Sequence, residues 1–248
     1  MKDEKDTLIF GLRPVIEAIN AGKEIDKILI QNGLHSELFG ELKKLLAGKS
    51  IPYQYVPTEK LKRTTTKNHQ GVIAYVSNIS YSDIEKIIPF IFEQGKNPLV
   101  LILDRITDVR NFGAIARTAA CAGVDAIVIP YYNSVRVSAD AIKSSAGALH
   151  QIPVCRSKSM LQTVEFLKSS GLSIICCTEK AKTEYYNSDM SLPAAIIMGS
   201  EEDGISDIIL KSTDQQISIP MRGAIASLNV SVAAGIILFE AARQRKNS

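Results

Sequence analysis

Tryptophan is absent from this chain, and aromatic residues of all kinds make up only 6% of it. No interleaved aromatic platform for stacking RNA bases is legible in that composition. Cysteine is scarce as well. The four cysteines, Cys121, Cys155, Cys176 and Cys177, form no C-x-x-C pair and have no histidine at zinc-finger spacing. Each has apolar neighbours, which predicts buried, reduced thiols. The three histidines, His35, His69 and His150, make no H-E-x-x-H pattern. No apolar run approaches the ~20 residues that cross a bilayer. The opening MKDEKD has no apolar stretch behind its charges. The expectation is a cytoplasmic protein with no membrane partner. Neither G-x-G-x-x-G nor a P-loop occurs, which disfavours ordinary dinucleotide or NTP binding. No His–Cys pairing points to covalent catalysis.

What is present is an ordinary globular chain of 248 residues, 46% hydrophobic and 22% charged. That is enough for one large or two modest domains. The formal net charge of +3 permits a nucleic-acid partner without demanding one. Basic residues gather at Lys60, Lys62, Arg63 and Lys67, and again at Arg243, Arg245 and Lys246. Each group, taken alone, reads as a solvated face.

Along the chain, residues 1–6 read as a polar tail. Leu12, Val15, Ile16 and Ile19 recur at helical spacing and predict a helix over Thr7–Gly22, with Pro14 in its first turn. Strands are expected at Ile25–Gln31, Tyr53–Val56 and Gly71–Val76. A helix is expected at Glu37–Ala47 and a helical turn at Thr58–Leu61. Residues 7–78 thus form a small α/β domain. Residues 79–97 form a linker helix, capped by Ser82 or Asp83 and closed by the break signal Gln94-Gly-Lys-Asn-Pro98. In residues 98–246, strands at Leu99–Leu103, Ala126–Ile129, Leu172–Thr178, Ala194–Met198 and Ile217–Pro220 alternate with helices. The helices lie at Asn111–Ala122, Ala139–Ala148 and Leu161–Ser169, with a last one opening at Val230. Such alternation predicts a mostly parallel sheet covered by helices.

Three loops follow three of these strands, and in an open sheet such loops converge on one crevice. The first carries Asp104, Arg105, Asp108, Asn111, Gly113 and Arg117. The second carries Gly199, Glu201, Glu202 and Gly204, and the third Gly223, Ser227 and Asn229. Carboxylate, guanidinium, amide and hydroxyl groups are thereby available to one site. Each has a plain structural role open to it as well. Asp104 suits a helix cap, Arg117 a helix surface, and Glu201 a helix N-terminus. Ser227 and Asn229 fit the N-cap of the last helix. On local pattern the cap role and the ligand role both stand.

Whole motifs say more. LDRITDVRNFGAIARTAACAG, IMGSEEDGIS and IPMRGAIASLNVSVAAGIILFEAARQR resemble the three consecutive motifs of the SpoU (TrmH) family, in order and spacing. These are RNA ribose 2′-O-methyltransferases of the SPOUT class. FGLRPVIEAINAG and NHQGVIA are similar to the first helix and final strand of the family's substrate-binding domain, which looks like the kink-turn-binding ribosomal proteins. The likeness runs from Thr7 to Arg245. The two-domain form is similar to the RlmB type, which methylates a guanosine of 23S rRNA; the tRNA-directed TrmH type lacks the N-terminal domain.

The resemblance implies S-adenosyl-L-methionine as methyl donor, rRNA as partner, no metal, and a homodimer through the C-terminal domain. The last helix is apolar over Val230–Phe239, which suits a subunit interface and equally a core helix. The implied fold class is α/β: a C-terminal, mostly parallel sheet with a deep trefoil knot, plus a small N-terminal α/β substrate-binding domain. General topology rules exclude such a knot; only the resemblance supplies it. Carried over by position, Asn111, Arg117, Glu201, Ser227 and Asn229 take the catalytic roles. Gly199, Ile219, Met221 and Leu228 hold the cofactor. The family usually has proline where this chain has Val109, so that loop loses a fixed φ. Arginine is often assigned as the base at position 117. A guanidinium keeps its proton, so Arg117 reads better as a phosphate binder and alkoxide stabiliser, with Glu201 or water accepting the proton. Methylation of tRNA or of another rRNA nucleotide, and an inactive RNA-binding assembly factor, are the alternatives the sequence leaves open.

Overall fold

In the computed structural model, which describes residues 8–49 and 51–246, the first described element is a strand rather than a helix. The expected polar tail at residues 1–6, together with Thr7, lies outside the described residues. The helix expected over Thr7–Gly22 covers only Leu12–Asn20 (α1), and Leu8–Phe10 form β1. Gly11 stands between them at φ 95°, outside the helical region and open to glycine. The helix therefore cannot extend back across it. Leu-Ile-Phe instead pairs antiparallel with β4 (Val72–Val76).

Contacts divide the chain into two compact units. The first takes in the residues up to Ser80 together with Arg136–Ala139. Its four-stranded sheet has the order β1-β4-β2-β3, with β2 at Ile25–Gln31 and β3 at Tyr53–Val56. The pairing of β2 with β3 is parallel and the others are antiparallel. One face packs Ile28, Ile30, Val72 and Ala74 against α1 and α2 (Glu37–Gly48). The other face packs Leu29, Val56 and Ile73 against Leu61 of α3 (Thr58–Thr64).

In the second unit, α4 (Ile84–Glu93) is capped by Asp83, whose Oδ1 accepts the Glu85 N–H at 3.0 Å. Ser82, the other expected cap, bridges to Cys155. Ile84 and Ile88 sink into the core of the seven-stranded sheet. Its strands are β5 (Leu99–Asp104), β6 (Ala126–Pro130), β7 (Val154–Ser157), β8 (Ser173–Cys177), β9 (Thr183–Glu184), β10 (Ala194–Gly199) and β11 (Gln215–Ser218). The order is β7-β6-β5-β10-β8-β11-β9, and each pairing is parallel. All carboxyl ends therefore share one edge of the sheet. β5 is buried throughout, as its unbroken apolar run predicts.

Around this sheet run α5 (Val109–Cys121), α6 (Ala139–Ser144), α7 (Met160–Ser169), α8 (Asp207–Leu210) and α9 (Val230–Arg245). The helix expected over Ala139–Ala148 stops early, because Ala146 and Gly147 take φ of 50° and 83°. β7, β9 and α8 have no counterpart among the elements expected from the sequence. Cys155 and Cys176 are buried as expected, but Cys121 is exposed, since it closes α5 on the outward side. Burial pushes the Cys155 thiol up to about 12.

α9 ends in an anchor. Arg245 Nε donates to Met190 O (2.8 Å), Nη1 to Asn97 O (2.9 Å), and Nη2 to Pro98 O (3.3 Å) and to Leu192 O. Gln244 joins it, accepting the Met190 N–H at 2.7 Å and donating to Ser188 O at 3.0 Å. Burial pulls the Arg245 guanidinium below its ordinary value, and Asp125 and Asp189 oppose that pull. A planar fork serves scattered carbonyls as an ammonium cannot. Arg245→Met should therefore cost about 2–3 kcal/mol. The reading is a lower denaturant midpoint at constant slope, with Arg245→Lys recovering less than half. An unshifted midpoint for the Met variant rules the anchor out.

Candidate functional site

The second unit's site is built at the carboxyl edge of its sheet. β5 ends in Asp104, only 3% exposed, whose Oδ2 accepts the Ser206 N–H at 2.8 Å. Arg105 follows at φ 60°. Its Nη1 donates to Asp203 Oδ2 (3.3 Å) and its Nη2 to Gly204 O (3.2 Å). The end of one strand thus clamps the turn that leaves another. That turn is closed from within. Ser200 and Gly204 exchange main-chain hydrogen bonds of 3.2 and 3.0 Å, and Ser200 Oγ accepts the Asp203 N–H at 3.1 Å. Gly199 lets the turn fold back, because a Cβ there would run into the main chain of Gly204 and Ile205. Glu201 is held out on this turn.

α5 starts under a cap as well, Asp108 Oδ1 accepting the Asn111 N–H at 2.7 Å. Asn111 therefore faces the crevice from a fixed first turn. At the mouth of α9, Asn229 is the N-cap, and its Oδ1 accepts the Ser231 N–H at 3.0 Å.

These three residues meet. Glu201 Oε1 accepts from Asn229 Nδ2 (2.7 Å), Asn111 Nδ2 (3.1 Å) and the Val230 N–H (3.2 Å). Asn229 Nδ2 also reaches Asn111 Oδ1 at 3.0 Å. A carboxylate placed on the first amide of a helix is favoured by the unsatisfied N–H and by the helix dipole. Asn229 caps the helix through its oxygen and joins the cluster through its nitrogen, so the two roles left open by its sequence position coexist. Ser227 is not the cap. It lies exposed in the loop before it.

Arg117 stays outside the cluster. It is exposed on α5, and among the described residues no hydrogen bond or ion pair engages its guanidinium. Ile219 and Met221 are half-buried, and Leu228 is exposed, on the segment between β11 and α9. Among the described residues, the main chain of residues 219–228 makes no backbone–backbone hydrogen bond. A ten-residue stretch of unpaired donors and acceptors, interspersed with apolar side chains, fits a small ligand held by main-chain contacts. The sequence offers Asp104 only as a helix cap and gives Arg105 no role. Sequence reasoning missed the Val230 amide altogether, since a backbone donor leaves no trace in residue type.

Comparison with known proteins covers both units. Residues 98–239 match the SpoU rRNA Methylase family. Residues 8–82 match the family described as RNA 2′-O ribose methyltransferase substrate binding. A protein of Staphylococcus saprophyticus named for the TrmH family of tRNA/rRNA methyltransferases is 37% identical over 97% of either chain. A Bacillus subtilis protein of the same designation is 33% identical, covering 99% of this chain and 98% of its own. Among solved structures, the SpoU methyltransferase AviRb from Streptomyces viridochromogenes, in complex with AdoMet, superposes with a TM-score of 0.61 at 26% identity. The match covers 97% of this chain and 91% of AviRb.

Proposed function

The chain belongs to the SpoU rRNA methylase family, and from that premise we propose that it transfers a methyl group from S-adenosylmethionine to a ribose 2′-hydroxyl of rRNA, a guanosine of 23S rRNA. The observation that carries the proposal is the meeting of Asn111, Glu201 and Asn229, drawn from three separate motifs, on one carboxylate oxygen. Gly199, Ile219, Met221 and Leu228 hold the cofactor, with the unpaired main chain of residues 219–228 as its bed. When bound, S-adenosylmethionine supplies an electrophilic methyl carbon whose leaving group departs as a neutral thioether.

The protein's task is then to place the hydroxyl in line and to stabilise the alkoxide that develops. Arg117, exposed on α5, takes the RNA phosphate and offers its fork to the developing charge. Asn111 and Asn229, locked through Glu201, orient the ribose together with the Ser227 hydroxyl. Glu201 Oε2 or water accepts the proton late in the reaction, since Oε1 already accepts from three N–H groups.

Residues 7–78 hold the RNA, residues 79–97 join them to the transferase, and residues 98–246 carry the reaction on the knotted path that the family implies. The reaction belongs in the cytoplasm; no helix among the described residues is long and apolar enough to cross a membrane. The proposal includes a homodimer through α9, supported by Val232 and Phe239, which are 51% and 52% exposed on one stripe with Ile236.

The test is transfer of labelled methyl from S-adenosylmethionine to 23S rRNA, with the modified ribose mapped by its resistance to alkaline cleavage. No transfer despite cofactor binding overturns the proposal. Arg117→Lys keeps the charge but loses the fork, and should lower kcat about tenfold without bringing a lysine ionisation into the pH profile. A rate that rises along a lysine titration curve would make this side chain the base. The relatives' shared designation, tRNA/rRNA methyltransferase, favours one second reading, the same transfer to tRNA. Supplying tRNA in the same assay separates the two.

A further inference from the structure

Arg105 carries two features that oppose folding. It is a non-glycine residue in the left-handed region, at φ 60°. Such a conformation persists only where the surroundings over-determine it. Its Nε is also buried and donates no hydrogen bond, with Asp104 Oδ2 standing 3.6 Å away. What the left-handed turn achieves is a change of direction. Along a strand, neighbouring side chains leave on opposite faces. Asp104 and Arg105 are adjacent at the end of β5, yet both reach the turn of residues 200–206. Asp104 holds the Ser206 N–H at 2.8 Å, and Arg105 donates to Asp203 Oδ2 at 3.3 Å and to Gly204 O at 3.2 Å. The pair with Asp203 contributes little, because that carboxylate is 68% exposed. The contact with Gly204 O is different in kind. The same carbonyl accepts the Ser200 N–H at 3.2 Å, so it closes the turn on which Glu201 stands.

We infer that Arg105 is a positioning residue for methyl transfer. By pinning Gly204 O, its guanidinium sets the place from which Glu201 Oε1 reaches Asn111, Asn229 and the Val230 N–H. The inference rests on the proposed reaction, and adds to it a residue that acts through Glu201 rather than on the reacting atoms. A planar fork suits the task. Nη1 and Nη2 hold two points of one turn, which fixes its orientation as well as its distance. The unmade bond at Nε and the left-handed backbone are then the cost of aiming that fork. Direct capture of an RNA phosphate by the same guanidinium, 32% exposed, is the competing role, and kinetics separates the two.

The test is Arg105→Asn in the full-length protein. Asparagine accepts the left-handed region and removes the fork. The turn keeps its own Ser200–Gly204 pair, so Glu201 shifts only in part. kcat should fall about tenfold, with KM for 23S rRNA and for S-adenosylmethionine within about twofold of wild type. Added to Glu201→Ala, the substitution should lower the rate by less than about twofold more, because the residue it acts through is already gone. The Val230 amide, followed by NMR hydrogen exchange, should exchange about threefold faster in Arg105→Asn than in wild type. A raised KM for rRNA at unchanged kcat overturns the inference and makes Arg105 a phosphate contact. Full additivity with Glu201→Ala overturns it, as does an unchanged Val230 exchange rate. Wild-type protein that transfers no methyl group, while Arg105→Asn still speeds Val230 exchange, overturns the proposed reaction and leaves the hold of Arg105 on Glu201 standing.

Discussion

Glu201→Ala should lower the rate of methyl transfer by about 10²–10³-fold, while S-adenosylmethionine binds within a few-fold of its wild-type affinity. The reason lies in how many groups depend on one atom. Oε1 of Glu201 fixes the Asn229 amide at 2.7 Å, the Asn111 amide at 3.1 Å and the Val230 N–H at 3.2 Å. Alanine releases all three together. The Asn111 amide then keeps only Asn229 Nδ2, at 3.0 Å, and gains rotamers in which it does not face the ribose, while Asn229 stays tied to Ser231 through its oxygen alone. A misplacement of about 1 Å at a reacting centre is enough for a hundredfold loss.

Stability should barely move, by about 1 kcal/mol or less, because Glu201 and Asn229 are exposed and water can replace the lost acceptor. The dissociation of rate from stability is the signature to seek. Glu201→Gln separates geometry from charge. Its amide oxygen can still accept, but the negative charge at the mouth of α9 is gone. A loss of about tenfold is expected for it, measured as single-turnover rate with saturating RNA. If the Gln variant is as slow as the Ala variant, the carboxylate matters as an anion or a base, and the positioning account fails.

The strands that can be read off the residues are those whose burial pattern is continuous. β2 and β5 fall where their apolar runs begin and end, since each is packed on the faces its residues announce. β1 is not legible, because helical spacing at Leu12, Val15, Ile16 and Ile19 extends plausibly upstream and only the φ of Gly11 stops it. Hydropathy carries no information on the sign of a dihedral. The same holds at Ala146, an alanine in the left-handed region that cuts α6 short. For the site, residue types and their order mark out the three loops, but not the bond that joins them. Asn111 and Glu201 are 90 positions apart, and Glu201 and Asn229 a further 28, so their convergence is a property of the parallel sheet. Arg117 and Ser227 remain outside the cluster for a different reason. Each is exposed at a site whose proposed partner is RNA, so the chain alone gives them nothing to hold.

Gly199→Ala should cost about 3 kcal/mol and abolish cofactor binding and transfer together. The conflict is steric, because Gly199 does not lie in the left-handed region. It ends β10 opposite Asp104 of β5, and the turn behind it folds back over its Cα. A methyl group there meets the main-chain carbon and oxygen of Gly204 and the nitrogen of Ile205, none of which can rotate aside as a side-chain tip can. Relief requires the turn to move outward. That breaks the paired hydrogen bonds of Ser200 and Gly204 at 3.2 and 3.0 Å, and pulls on the Ser206 N–H that Asp104 holds at 2.8 Å. Arg105 loses Gly204 O at 3.2 Å in the same movement, and Glu201 leaves Asn229. One methyl group thus reaches every member of the cluster through backbone, whereas Glu201→Ala reaches them through a side chain and leaves the fold alone. Gly223→Ala is the control. It sits in the cofactor segment with nothing within 4 Å of the added carbon, and its midpoint should shift by less than about 0.5 kcal/mol. Urea unfolding of the two variants side by side decides the matter. Equal midpoints would mean that the turn after β10 yields freely, and that Gly199 is not what folds it over the strand.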